Sequence, residues 1–191
     1  MPDAVIGPNA IIQIVAAARD QLSNAQANML LREAGLDHYI AGLPSQMVPE
    51  LEVAALHSAL YRTNVGDVAL RIATDAGVRT ADYLLVNRIP AAAGLVLRYL
   101  PGALSARFLL AAISRHAWTF AGSGAFQFSG HGPVSISLSG SPLFADGRAA
   151  PLADAYFRAT FQRLFQVLVH SRCTCRDDGD EPAKPGSTRF A

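Results

Sequence analysis

Arg115-His116-Ala117-Trp118-Thr119-Phe120-Ala121-Gly122-Ser123-Gly124-Ala125-Phe126-Gln127-Phe128, followed by Val134-Ser135-Ile136-Ser137-Leu138-Ser139, is the stretch that decides the fold. Upstream of it, apolar residues recur every three or four positions, the period of a helix. Within it they begin to alternate with polar ones, the period of a strand with one face buried. Trp118 with Phe120, Phe126 with Phe128, and Val134-Ile136-Leu138 read as three half-buried strands joined by glycine-containing turns, an antiparallel meander.

Working outward, Ile11, Ile14, Val15, Ala18 and Leu22 mark a first helix, and a second runs over about 24–34, ended by Gly35. Helices are predicted over 50–62, with Leu51, Ala55, Leu56 and Leu60 on one side, and over 64–87, where Gly77 weakens the helix by ~1 kcal/mol relative to alanine. Pro90 ends the latter, and Pro101-Gly102 divides the next apolar tract into helices over 91–99 and 103–116. Phe157, Phe161, Leu164, Phe165 and Leu168 form the stripe of a helix over 153–169, and a short strand is expected at 170–175. Helices first and strands later predict an α+β fold, N-terminal helices packed on an antiparallel sheet, rather than alternating βαβ units. The expected organisation is one domain over 1–176, mostly helical over 1–116 and sheet plus helix over 117–176. An acidic, Pro/Gly-rich tail follows over 177–191.

The 191 residues are 51% hydrophobic and 16% charged, with a net charge of +1. No basic field predicts nucleic-acid binding, and the low charge predicts a surface covered in part by a second subunit, a partner or an apolar ligand. No basic-then-apolar leader opens the chain, and arginines, prolines and glycines interrupt its most apolar tract, so the expectation is a cytoplasmic protein with peripheral membrane contact left open. Cys173 and Cys175 are too close for an unstrained mutual disulfide in an extended segment. With His170 they fall short of the four ligands of a structural zinc site, so no metal is assigned. Gly122-Ser123-Gly124 lacks the third glycine and the strand-to-helix setting of a dinucleotide loop, and no phosphate-loop, metalloprotease or serine-hydrolase motif occurs.

The concentration of rings predicts a pocket for a large planar ligand. Trp118, Phe120, Phe126 and Phe128 would supply flat walls, and His116 a nitrogen for a metal or a polar edge. The same phenylalanines equally suit a packed strand core, and a histidine at a helix-to-strand junction equally suits a structural role. Arg88, Arg98, Arg107 and Arg115 could grip ligand carboxylates or simply solvate a face. His131, in Ser129-Gly130-His131-Gly132-Pro133, belongs to a hairpin turn.

With these residues in view, the chain resembles the 4-vinyl reductase domain family, and within it the members that serve bacteriochlorophyll biosynthesis. The resemblance runs over most of the length. Ile6-Gly7-Pro8-Asn9-Ala10-Ile11, Tyr83 with Arg88-Ile89-Pro90, Arg115 to Gly124, Pro142-Leu143 and Phe161-Gln162-Arg163-Leu164-Phe165 carry it. It implies a fold similar to the ligand-binding domains of nitric-oxide signalling and Golgi-transport proteins, with an apolar cavity and homodimers. It also implies a place in bacteriochlorophyll synthesis, on a tetrapyrrole before or around reduction of the 8-vinyl group; with no nicotinamide or flavin motif in the chain, the expectation is a Mg-porphyrin ligand, no cofactor built in, and other bacteriochlorophyll-synthesis enzymes as partners. The expected ligand-binding set is His116, Trp118, Phe120, Phe126, Phe128, Arg115, Arg88 and Tyr83, with His116, or else His131, near the magnesium. Vinyl reduction needs two electrons from a nicotinamide, flavin or iron–sulfur group, and two cysteines fall short of the four thiolates a cluster usually takes. The expectation is therefore a carrier or accessory protein for Mg-protoporphyrin or divinyl protochlorophyllide. The alternatives are a subunit of an 8-vinyl reductase and a dimeric scaffold with a lipid-filled or structural cavity. Relatives of this family often carry thiols before the last helix and a spaced pair near the end; here Leu143-Phe144 and Pro151-Leu152-Ala153 carry none, Cys175 matches the first of the late pair, and Thr188 stands near the second.

Overall fold

The computed structural model describes residues 4–64, 67–129, 134–176 and 187–190. The chain begins with β1 (Val5–Ile6), whose antiparallel partner β2 (Val48–Pro49) pairs Ile6 with Val48. Between them lie α1 (Asn9–Gln21), α2 (Asn24–Glu33) and the single turn α3 (His38–Ala41). The Ser23 hydroxyl accepts the Gln26 amide and starts α2. Gly35, at φ 72°, reverses the chain after it, in the left-handed region that favours glycine. The helices α4 (Glu50–Thr63), α5 (Asp67–Asn87), α6 (Ala91–Tyr99) and α7 (Gly102–Arg115) follow, each within three residues of the range its apolar period predicts.

The main core is the contact between α5 and α9 (Ala150–Leu168), with α1 and α4 closing over it. Gly77 is what lets α5 and α9 approach: a β-carbon there would run into the Tyr156 carbonyl and press on Ala159. The Thr160 hydroxyl lies between the Tyr156 carbonyl of its own helix, at 2.8 Å, and the Gly77 carbonyl across the contact, at 3.0 Å, and shares its one proton between them. The residue that weakens α5 as a helix thus sets the closest helix packing in the molecule's centre. On α4 the buried stripe is Val53, Leu56, His57 and Leu60, and the expected Leu51 is exposed.

The sheet differs from the expected meander in two places. Trp118 and Phe120 belong to one helical turn, α8 (Trp118–Ala121), closed by amide bonds from Phe120 and Ala121 back to the Ala117 carbonyl. Four residues are too few to distinguish a period of two from one of 3.6. The distinction matters: side chains two apart share a face in a strand but diverge in a helix. The three-stranded sheet is β3 (Ala125–Ser129), β4 (Ser135–Ser139) and β5 (Ser187–Phe190), antiparallel with β4 central. Phe126 stands opposite Leu138 and Phe128 opposite Ile136. The third strand thus comes from residues 187–190, inside the stretch read as a tail, and not from 170–175. That segment turns back along α9 instead: the Gln166 amide donates to the Cys173 carbonyl at 3.1 Å, and the Cys175 amide donates to the Gln162 side chain at 3.1 Å. The fold class is α+β, mostly helical with two small antiparallel sheets.

Candidate functional site

The turn α8 splits the ring-rich stretch into an outward and an inward half. Arg115 and His116, at the end of α7, are exposed, as is Trp118 at 57%. Among the described residues neither the Arg115 guanidinium nor the His116 ring has a hydrogen-bond or ion-pair partner. Phe120 points the other way. Its ring meets Phe126 edge-on at 5.6 Å and reaches Phe157 and Phe161 at 6.2 Å. Phe126 lies 6.0 Å from Phe161 and 6.4 Å from Phe128, which is partly exposed at the sheet's surface.

These separations are those of rings in contact: Phe120 and Phe126, both half-buried, pack against the core and against each other. Downstream of His116, where a slot was expected, the described rings touch one another as an aromatic cluster. Two hollows open elsewhere on the surface. One, about 230 Å³, lies between the ends of α5 and α9 and helix α6, lined by Ile89, Gly94, Arg98 and Leu168 among others. It is smaller than the roughly 300–1,000 Å³ of a ligand pocket. The other is a shallow 630 Å³ depression beside Leu70, Arg71 and Asp75 of α5. None of the predicted ring residues lines either one.

Of the remaining predicted residues, Tyr83 is half-buried on α5 and Arg88 is exposed just past its end. Among the described residues no hydrogen bond, ion pair or ring contact joins them to the 115–128 group. His131 lies outside the described residues.

The glycines of the motif have a structural duty. Glu50, the first residue of α4, is buried, and its two oxygens accept the Ser123 amide and the Ser123 hydroxyl, both at 2.7 Å. The carboxylate sits at a helix N-terminus, where the helix dipole favours negative charge. Gly122, at φ 60°, passes so close to this carboxylate that a β-carbon would collide with it. Gly124 similarly abuts the backbone of Ser139 and Ser141. In a phosphate loop the amides point at an anion to be bound; here the Ser123 amide already points at the protein's own carboxylate.

His57 was not legible as a special residue. It occupies a core position of α4, 1% exposed, and among the described residues neither ring nitrogen has a hydrogen-bond partner. The ring stands edge-on to Tyr156 at 5.9 Å, and burial lowers its pKa to about 4. The Tyr156 hydroxyl, pushed up to about 12 by burial, is paired with Thr80 at 2.8 Å. Since Thr80 gives its one proton to the Ala76 carbonyl, Tyr156 is the donor to Thr80. The only sequence signal for His57 was its place in the Val53-Leu56-Leu60 stripe. Near the C-terminus, burial pushes the Cys175 thiol up to about 12. Among the described residues no three His, Cys, Asp or Glu side chains converge as a metal site would need.

Fold and site define a small α+β protein with a solid aromatic core, a carboxylate-locked glycine loop, and a cation, imidazole and indole displayed together at one helix junction. The chain is 39% identical over 172 residues to the bacteriochlorophyll synthase 23 kDa chain of Rhodobacter capsulatus, covering 90% of this chain and 79% of that one. It is 38% identical over 173 residues to the protein of the same name from Cereibacter sphaeroides, covering 90% and 82%. The chain belongs to the bacteriochlorophyll synthase 23 kDa chain family. No protein-family model matches it, and no solved structure does, so the 4-vinyl reductase domain and the likeness to the nitric-oxide-signalling and Golgi-transport fold rest on the quoted residues alone.

Proposed function

We propose that this protein serves bacteriochlorophyll synthesis as a carrier or accessory factor that binds a Mg-tetrapyrrole intermediate, Mg-protoporphyrin or divinyl protochlorophyllide, and presents it to the synthesis enzymes. Family membership supports the pathway. The observation that carries the binding reading is the junction of α7 and α8, where Arg115, His116 and Trp118 stand exposed within four residues. An indole face stacks on a flat macrocycle, a guanidinium grips a carboxylate in two-point fashion, and an imidazole reaches magnesium directly or through a water. Phe128, partly exposed on β3, extends the apolar platform. Since Phe120 and Phe126 touch each other and Phe161, the pigment lies against this surface and not between those rings.

Adding Mg-protoporphyrin to the protein should red-shift the pigment's Soret band and quench the fluorescence of Trp118, the chain's single tryptophan. His116→Ala should weaken Mg-porphyrin binding about ten-fold, ~1.4 kcal/mol, and leave metal-free porphyrin unchanged. Equal loss for both pigments would remove His116 from the metal. Absence of any spectral response to a tetrapyrrole would overturn the carrier reading. Consumption of a divinyl substrate by the pure protein with NADPH or reduced ferredoxin would replace it with an enzyme.

A further inference from the structure

Helix α6 has no fully buried residue, an unusual state for nine residues that include Leu95, Val96, Leu97 and Tyr99. Its neighbour α7 buries Ser105, Ala106, Leu109 and Leu110, and turns Leu104 and Phe108 outward. With Val86 at the end of α5, the outward set is Val86, Leu95, Val96, Tyr99, Leu104 and Phe108. Tyr99 is 84% exposed, Val86 80% and Phe108 59%. Scattered exposed apolar residues need no explanation, but six on consecutive packed elements mark a surface made to be covered.

The charge of the same segment says by what. Between Asp82 and Asp146 the chain has no aspartate or glutamate, yet it carries Arg88, Arg98, Arg107 and Arg115. All four are exposed. Among the described residues, Arg88, Arg107 and Arg115 have no carboxylate partner, while Arg98 donates to the Val167 carbonyl at 3.1 Å. Elsewhere some arginines are paired: Arg79 with Asp20 and Asp75, and Arg163 with Asp82. A second copy docked face to face would set arginine against arginine with no acid from this segment to relieve it, which like-charge repulsion disfavours. An anionic bilayer meets both features at once. Apolar side chains enter the headgroup boundary, and arginine stems snorkel so that their guanidiniums meet phosphates. No helix of the described residues is long and apolar enough to cross a membrane, so the contact is one of a face lying on the surface.

We propose that the outer face of α6 and α7, with the end of α5, docks this protein on an anionic phospholipid bilayer. This goes beyond the pigment reading and is tested without pigment, so either can fail alone. The full chain is sedimented with vesicles of phosphatidylcholine, and with vesicles of phosphatidylcholine containing about one-third phosphatidylglycerol. Binding to the anionic vesicles alone, weakened by salt, is expected. Arg107→Gln should weaken it about five-fold, the equivalent of ~1 kcal/mol for one arginine at such a surface. Phe108→Ser should weaken it further. Leu51→Ser, exposed on α4 and outside the face, should bind as the parent does, and helix circular dichroism would show all three variants folded. No preference for anionic vesicles would overturn the proposal. So would equal binding by the parent, Arg107→Gln and Phe108→Ser. A dimer dispersed by Phe108→Ser, with no vesicle binding by the parent, would give the face to a second copy instead.

Discussion

Replacing His57 with leucine should flatten the pH dependence of stability between neutrality and pH 5. The imidazole is buried with no partner for either nitrogen among the described residues, and burial holds its pKa at about 4 against 6.5 for a solvated ring. The folded state therefore keeps the ring neutral while the unfolded chain takes up a proton as pH falls through 6.5. Since the unfolded state binds more protons, stability declines with falling pH across the window from 6.5 to about 4. At pH 5 the unfolded ring is almost wholly protonated and the folded one about a tenth so. By linkage this separates the states by about 2 kcal/mol relative to pH 7. The ring faces Tyr156, whose hydroxyl, near 12, stays neutral throughout and offers no compensating charge. Urea unfolding at pH 7 and pH 5, followed by helix circular dichroism, should show the parent losing about 2 kcal/mol more than His57→Leu does. At pH 7 leucine, of similar volume and without polar atoms to leave unpaired, should cost under about 1.5 kcal/mol or stabilise. Parallel pH slopes for the two proteins would refute the reasoning, for the imidazole would then be protonated or partnered in the fold.

Two further substitutions probe the close approaches that shape the interior. Ser123→Ala removes one of the two donors to the buried Glu50 carboxylate and should destabilise by roughly 2 kcal/mol in the same urea assay; a change under about 0.5 kcal/mol would mean that the clamp is not closed in solution. Gly77→Ala should lower the melting temperature by several degrees, because the ~1 kcal/mol that alanine adds to a helix is smaller than the roughly 1–3 kcal/mol of forcing α5 off the Tyr156 carbonyl. A rise would show that the helices can separate freely.

The helices of nine residues or more were legible because each spans at least two turns with an uninterrupted apolar period, and proline or glycine marks most boundaries; the single turns α3 and α8 were not. The period reports that one side is buried, but not how well. It could not separate α6, which buries no side chain fully, from α9, whose stripe of Phe157, Phe161 and Leu164 lies in the core. The strand β4 was legible because Ile136 and Leu138 alternate with serines. The strand β5 was not, since Ser187-Thr188-Arg189-Phe190 follows an acidic, proline-containing stretch and becomes a strand only by pairing with β4. At the site, Phe120, Phe126 and Phe128 lie in ring contact while Trp118 turns outward, and a cluster of phenylalanines encodes a wall and a plug in the same letters. The difference lies in Phe157 and Phe161, which reach Phe120 from another helix. The Glu50–Ser123 clamp joins residues 73 positions apart, so no local pattern announces it.

That division assigns separate work to the two halves of Arg115-His116-Ala117-Trp118-Thr119-Phe120-Ala121-Gly122-Ser123-Gly124. Because α8 is a helical turn, Trp118 and Phe120 diverge: one is more than half exposed, the other closes the core against Phe126, Phe157 and Phe161. Truncating each should therefore have opposite consequences. Phe120→Ala removes a ring from an aromatic packing site and should destabilise by roughly 3 kcal/mol, with loss of pigment response only to the extent that the protein unfolds. Trp118→Ala removes a surface ring and should leave stability within about 0.5 kcal/mol of the parent, while Mg-protoporphyrin binding weakens by about 1 kcal/mol or more, the worth of a lost stacking contact. The comparison is made by urea unfolding and by absorbance titration on the same preparations. If Trp118→Ala binds pigment as the parent does while Phe120→Ala, still folded, does not, the macrocycle reaches the interior rings, and the packed cluster must open to admit it.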